Sequence, residues 1–271
     1  MVADMLVSSV VHAMSVLEAL ADCPSGMSVS DLSAQADLNK GSIARVLITL
    51  QSTGHVLQDP ATERYHLSLQ TVSLANRHMD KLGFPELIQP VLNDLAATTG
   101  ELAQLAAADN DCLYVIAKAE GANRIRVESL LGQQIALHAS STGKAWLSGL
   151  SRERLLRVLG NIRLDKLAAR TITDMTVLEK EIEEARVTGF ATQREELMEQ
   201  MSGIAVPVHT AASSEAIGSL AIAAPTFRFP VERMTEAYAL LRRAALRIGE
   251  TWPREAAIAN LDYPVKKTAF R

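Results

Sequence analysis

The stretch 28–67, SVSDLSAQADLNKGSIARVLITLQSTGHVLQDPATERYHL, restricts the chain most, because helix and hairpin signals follow one another there without a break. Ile43, Val46, Leu47 and Leu50 recur at i, i+3, i+4 and i+7, the apolar stripe of an amphipathic helix. Ser42, Arg45, Thr49 and Ser52 form the opposite stripe, polar and carrying one cation. Asn39 stands where an N-cap belongs, and Lys40, Gly41 and Ser42 make the first turn, with backbone N–H groups pointing out of the helix start. Gly54 reads as the glycine that ends this helix, and 55–58 and 64–67 as two strands around the turn Asp59-Pro60-Ala61-Thr62-Glu63. Helix, turn, helix and two-stranded ribbon is the order of a winged helix-turn-helix. Its small polar first turn suits the major groove, where side chains reach base edges and backbone amides meet phosphate. A small helical cap on an enzyme shares the pattern and stays open on pattern alone.

Charge bears on that choice. Residues 1–83 carry Lys40, Arg45, Arg64, Arg77 and Lys81 against eight carboxylates, a net of −3, and the whole chain is at −4. Phosphate neutralisation supplies much of DNA affinity, so an acidic reader must concentrate its cations. Lys40 and Arg45 lie on the recognition helix and Arg64 on the wing, whereas Asp4, Glu18, Asp22 and Asp80 belong to other elements. Tight binding then calls for two or more copies.

In the first helix, Val10, Ala13, Met14, Leu17 and Leu20 form a face expected to pack against Leu32, Ile43 and Leu47, with His12 a partly exposed polar residue. Cys23-Pro24-Ser25-Gly26 turns the chain after it. The beginning lacks a cationic n-region and is interrupted by Asp4, His12 and Glu18, so export is not expected. No run reaches the roughly 18 apolar residues of a spanning helix. Two cysteines, Cys23 and Cys112, are too few for a disulfide framework and fit a reducing cytosol.

Residues 68–83 continue as a helix with Leu69, Val72 and Leu74 apolar and Gly83 as its stop, either a linker or an ordinary surface helix. Beyond Pro85, Leu87, Val91, Leu92 and Leu95 mark a helix ending at Gly100. Strand-like runs follow at 102–107, 112–118, 124–131 and 133–138, with helical stretches near 143–149 and 151–159 and the charged helix TVLEKEIEEARVTG. SGIAVPVH and AIGSLAIAA read as the last strands, and PVERMTEAYALLRRAALRIGE as a closing helix. Strands grouped with helices before, between and after them make an α+β domain. The expected organisation is therefore 1–67 winged helix-turn-helix, 68–83 linker helix, 84–250 second domain and 251–271 a C-terminal tail, loosely attached after Trp252.

A ligand site is legible in HASSTGK, which places Ser140, Ser141, Thr142 and Gly143 at the end of a strand and the start of a helix. Small residues leave room there, hydroxyls and N–H groups donate, and the helix dipole favours an anion such as a carboxylate. Plain capping by Ser141 or Thr142 is the competing reading. Met198 and Met201 offer adaptable apolar walls, or simply core packing. Arg124 and Arg126 alternate on one strand face, which is commonly solvated. An enzyme is disfavoured. Glu195 and Glu196 are adjacent, which on a strand sends them to opposite faces; Ser141 lacks a Gly-x-Ser-x-Gly elbow, and its spacing from His138 makes no triad. The six histidines show no HExxH or other metal spacing, and no cofactor pattern appears.

Taken together, NKGSIARVLITLQSTGHV, HASSTGKAWLS, GFATQREELMEQMSGIAVPV and SLAIAAP, in this order and spacing, resemble the IclR family of bacterial transcriptional regulators, from about Val10 to Ile248. The resemblance implies a winged helix-turn-helix, a linker helix and a C-terminal effector-binding domain similar to GAF domains. It also implies homodimers or dimers of dimers on palindromic double-stranded DNA operators beside catabolic operons, no membrane and no cofactor. It points to Lys40, Gly41, Ser42, Arg45, Thr49 and Arg64 for DNA, with glycine at 41 where the family more often has serine. For the effector it points to Arg124, Val127, Ser141, Thr142, Gly143, Met198, Met201, Gly203, Ala221 and Ala223. Ala221 and Ala223 stand where members binding very small keto acids carry polar residues, which suggests a small carboxylate with a larger apolar body, aromatic bodies included.

Overall fold

Because α-helical and β-hairpin signals alternate before residue 67, the first unit closes its core locally. The computed structural model describes residues 6–253 and divides into two compact units between Lys81 and Leu82. In the first, α1 (Ser8–Ala21), α2 (Val29–Gln35) and α3 (Lys40–Ser52) pack around Val16, Ala19, Leu20, Leu32, Ile43, Leu47 and Leu50. Ser28 starts α2 with a reciprocal capping box: Asp31 N donates to Ser28 Oγ at 3.1 Å, and Ser28 N to Asp31 Oδ2 at 3.1 Å. These bonds to Ser28 hold the Asp31 carboxyl below its usual range. Asn39 caps α3 by accepting from Ser42 N at 2.9 Å, as its position predicts. Strands β1 (Val56–Gln58) and β2 (Tyr65–Leu67) pair antiparallel, Val56 facing Leu67. Asp59 folds the turn between them by accepting from Ala61 N and Thr62 Oγ1. Met27 adds a further rung against Tyr65, which pattern reading did not anticipate.

One expectation here is corrected. The inward face of α1 is Ser15, Val16, Ala19 and Leu20, whereas Val10 and Met14 are 58 % and 54 % exposed. Val16 and Ala19 stand among the polar residues Ser8, Ser9, His12 and Ser15 of this helix, so the buried face is not its most apolar one and is selected by contact with α3. Helix α4 (Leu69–Lys81) buries no residue, and Leu69, Val72 and Leu74 are all exposed.

The second unit is built on a five-stranded antiparallel sheet in the order β4-β3-β7-β6-β5. Its strands are β3 (Leu102–Asp109), β4 (Cys112–Ala119), β5 (Ala191–Arg194), β6 (Met201–Val208) and β7 (Gly218–Pro225). Every residue of β7 is buried, because the central strand is covered on both faces. Helices α5 (Phe84–Thr99) and α9 (Val231–Thr251) lie against the sheet, as do α6 (Ser141–Ser148) and α8 (Met175–Thr188), while α7 (Arg152–Asn161) joins the core around Trp146. On α5 the buried face includes Phe84 and Ile88, and Leu87, expected inside, is turned outward.

The strands expected at 124–131 and 133–138 do not form, and β5, unrecognised in the sequence, does. Residues 124–131 alternate like a strand, but side chains take their carbonyls. Arg228 donates to Ile125 O and Lys118 Nζ to Ser129 O, so no ladder develops. Only Gly132–Ile135 runs beside β4, through bonds such as Ile135 N to Leu113 O at 2.8 Å. The loop is pinned at its base by Glu101, which receives Arg228 in two bonds of 2.6 and 2.8 Å and Asn123 Nδ2 at 3.1 Å. Trp252 packs edge-on to Phe84 at 5.0 Å, and residues 254–271 of the expected loose tail lie outside the described residues.

Arg228→Ala strands a buried carboxylate at Glu101 and should lower the unfolding free energy by about 3 kcal/mol, whereas Glu101→Leu with Arg228→Met should recover most of it. Urea denaturation of the three proteins measures both.

Candidate functional site

Two places in the structure bring functional groups together, one in each unit. In the first, α3 buries Ile43, Leu47 and Leu50 and leaves Lys40, Gly41, Arg45 and Thr49 exposed, with Ser42 half-buried. Thr49 Oγ1 donates to Arg45 O at 2.9 Å, which sets its hydroxyl against the helix and leaves its lone pairs outward. The N-cap Asn39 uses the N–H of Ser42, so those of Lys40 and Gly41 lack an acceptor among the described residues. A Cβ on Gly41 would meet only Asn39 Oδ1 at 3.4 Å, so packing does not require glycine there. Arg64 is used differently from expectation. Its Nε donates to Gly26 O at 3.0 Å and its Nη2 reaches Asp31 at 3.5 Å, which ties the ribbon to the start of α2.

In the second unit the N-terminus of α6 lies over the sheet. The cap is Ser140, not Ser141 or Thr142: Gly143 N donates to Ser140 Oγ at 3.0 Å. A turn, not a strand end, precedes it, held where Ser140 Oγ donates to Ala136 O at 2.8 Å. With Ser140 serving Gly143 and Lys144, the N–H groups of Ser141 and Thr142 have no acceptor among the described residues. Thr142 is fixed by Ser219 Oγ donating to its carbonyl at 2.8 Å and by Gln104 Nε2 at 3.4 Å from its hydroxyl. Below this helix end, Gln193, Gly203, Ala223 and Leu102 form one cross-strand row. A Cβ on Gly203 would stand 3.0 Å from Ser141 Oγ, so the glycine lets that hydroxyl settle on the strand. Gln193 is 1 % exposed and its Nε2 has no partner, an unused donor in the same row.

Several expected effector residues fall elsewhere. Gly143 makes no room for a ligand, because its missing Cβ would stand 2.4 Å from the Leu137 backbone. Ala221 lies one row deeper, packed with Ala145, Ala185, Ala191 and Ala205. Met198 is exposed and Met201 half-buried. Arg124 and Val127 sit on the pinned loop, not on a strand, and Arg126 pairs with Glu120 at 3.0 Å. Pattern reading missed Gln104 and Gln193; the alternation of Ala191 and Gln193 was the available signal, too short in a four-residue strand to stand out. Glu195 and Glu196 are not on a strand at all. Glu195 has φ +60°, and Glu196 turns inward to Lys144 Nζ at 2.7 Å, where burial pushes its carboxyl above the ordinary range. His138 meets Asp165 O at 2.9 Å, an anchor and not a triad member. The described residues hold no group of three metal-ligating side chains, and none of their helices is long and apolar enough to cross a membrane. A cleft of about 570 Å³ opens at the other end of α6, between Ser148, Arg186, His209 and Glu215, and shares none of the residues at the helix start.

Residues 9–60 match the IclR helix-turn-helix domain and residues 77–250 match the C-terminal domain of bacterial transcriptional regulator IclR. The chain is 29 % identical over 258 residues to the HTH-type transcriptional regulator KdgR of Escherichia coli (strain K12), covering 95 % of each. It is 30 % identical over 224 residues to the HTH-type transcriptional regulator BhcR of Paracoccus denitrificans (strain Pd 1222), covering 83 % of this chain and 80 % of that one. The crystal structure of an IclR transcriptional regulator from Alicyclobacillus acidocaldarius aligns with a TM-score of 0.80 at 26 % identity, over 90 % of this chain and 98 % of that one.

Gly143→Ala tests whether that glycine serves packing. It should lower stability by about 1–3 kcal/mol with no ligand present, because the added methyl meets backbone that cannot swing aside. Thermal unfolding of the ligand-free protein measures this, and an unchanged midpoint would return Gly143 to the list of candidate ligand contacts.

Proposed function

The chain belongs to the IclR family of bacterial transcriptional regulators and is a DNA-binding regulator, and from that premise we propose which groups read DNA and what class of effector is sensed. The observation that carries the DNA reading is the division of α3 into a buried stripe and an exposed face bearing Arg45. With that face in the major groove, Arg45 and Thr49 approach base edges, while Lys40, Ser42 and the N–H groups of Lys40 and Gly41 meet the backbone. Arg64 is left out, since its guanidinium is already committed to Gly26 and Asp31. The acidic balance of residues 1–83 calls for more than one copy on a palindromic operator, so that the second domain binds at high effective concentration. The exposed Val10 and Met14 of α1 and Leu69 and Val72 of α4 are apolar surface available to a second copy, in a homodimer or dimer of dimers. Such a regulator works in the cytoplasm, on an operon near its own gene.

The effector is a small carboxylate with an apolar body. Its anion sits at the N–H groups of Ser141 and Thr142 and the Ser141 hydroxyl, where the start of α6 favours negative charge. The unused Gln193 Nε2 supports an oxygen-bearing guest at this place. Ala223, Leu102 and Met201 flank the body. Effector binding alters DNA affinity only through its different affinity for the two states of the regulator.

Arg45→Ala should weaken operator binding by about 1–3 kcal/mol per site and blunt sequence preference while the protein keeps its fold and oligomeric state. Fluorescence anisotropy over a salt series measures it; affinity equal to the unsubstituted protein would remove Arg45 from the interface. Ser141→Ala should weaken acid binding by about 2 kcal/mol, because a donor to an ionised group is lost. Calorimetry against a panel of small aliphatic and aromatic acids reads the change.

A further inference from the structure

We propose that Glu196, held by the buried ammonium of Lys144, is a positioning residue that decides which end of the Gln193 carboxamide faces the effector, so that the pocket reads a hydrogen-bond acceptor; this rests on the pocket reading above. A carboxamide has two nearly isosteric ends, one accepting and one donating, and the strand that carries it does not choose between them. Here the choice is made by Glu196. Its backbone N–H donates to Gln193 Oε1 at 3.3 Å, which leaves Nε2 as the unpartnered end, on a residue of the row that runs beneath α6.

Four bonds fix Glu196 in turn. One carboxylate oxygen receives Lys144 Nζ at 2.7 Å, the other receives Arg194 N at 3.2 Å, its carbonyl receives Thr171 Oγ1 at 2.6 Å, and its N–H is the one that holds Gln193. The anchoring is needed locally. Glu195 at φ +60° and Gln200 at φ +59° bracket the β5–β6 connection in left-handed backbone, which these residue types adopt only when surroundings enforce it. Lys144 itself is fully buried and also reaches Glu181 on α8. A buried ion pair rarely stabilises a fold more than apolar side chains of the same size would, so its retention three residues after Ser141 argues for placement, not stability. The result is a direction of reading. A guest oxygen at Gln193 is satisfied, whereas an NH2 group there would face another donor.

The test uses the full-length protein, labelled with nitrogen-15, titrated with propionate and with propionamide, whose bodies are small enough for any pocket admitting a larger acid. The unsubstituted protein should prefer the acid. Glu196→Gln should cut the acid-to-amide affinity ratio roughly tenfold, and Gln193→Leu by a similar factor. The two changes together should do no more than Gln193→Leu alone, because Glu196 acts through Gln193. Where Glu196→Gln impairs folding, Lys144→Met with Glu196→Leu replaces the buried pair by apolar groups and should show the same fall in ratio. An unchanged ratio, or losses that multiply in the double variant, would overturn the positioning role alone. Propionate that leaves the amide signals of Ser141 and Thr142 unmoved in the unsubstituted protein would overturn the pocket reading itself, and this role with it.

Discussion

A fully buried ammonium must have anions around it, and the C-terminal unit is arranged to meet that demand at Lys144. One carboxylate comes from Glu181 on α8, the other from Glu196 beyond β5, so three elements distant in sequence converge on one nitrogen. Removing Lys144 would leave the inward-turned Glu196 carboxylate without its counter-charge, and removing Glu196 would leave the buried ammonium only the half-exposed Glu181, both unfavourable. The ion cluster therefore dictates where α8 and the β5–β6 connection lie relative to α6. The helix start, the candidate anion site, inherits its surroundings from that constraint.

Close approach of α6 to the sheet is the second condition. Ala145, Ala185, Ala191, Ala205 and Ala221 make a thin layer that permits it, Gly203 removes the methyl that would meet Ser141 Oγ, and Gly143 lets the Leu137 backbone lie against the helix start. Larger side chains in this layer would separate Ser141 and Thr142 from Gln193 and Gly203. At the opposite end of the domain the polar work is different. Arg154 lies over the Trp146 ring and bonds Glu215 and Asn110 O, and these contacts close the turns at that end.

The N-terminal unit solves a narrower problem. With few cations available, it leaves Lys40 and Arg45 of α3 exposed and ties Arg64 to Gly26 and Asp31. Its core leaves the apolar residues of α4 and part of α1 uncovered. On the proposed reading, affinity in such an acidic unit comes from repetition of the unit more than from any single contact.

By itself the sequence determined most features that rest on local chemistry, although the cap of α6 fell on Ser140 and not on Ser141 or Thr142. The cap at Asn39, the turn at Asp59, the stripe on α3, the stops at Gly54, Gly83 and Gly100 and the existence of nearly every helix follow from residues a few positions apart, and so did the family resemblance. What depends on partners far along the chain was decided only by tertiary structure. The face that α1 buries was chosen by contact with α3, which took Ser15, Val16, Ala19 and Leu20 in place of the more apolar face bearing Val10 and Met14. The run 124–131 became a loop because Arg228 and Lys118 claimed carbonyls that a neighbouring strand would have needed. Gly143 and Ala221 moved from candidate ligand contacts to packing, and Gln104 and Gln193 gained a place in the candidate site, since only sheet register brings them beneath the start of α6. Residue type predicts what a side chain is able to do, but the surface that comes to face it is set by contacts that local sequence does not encode.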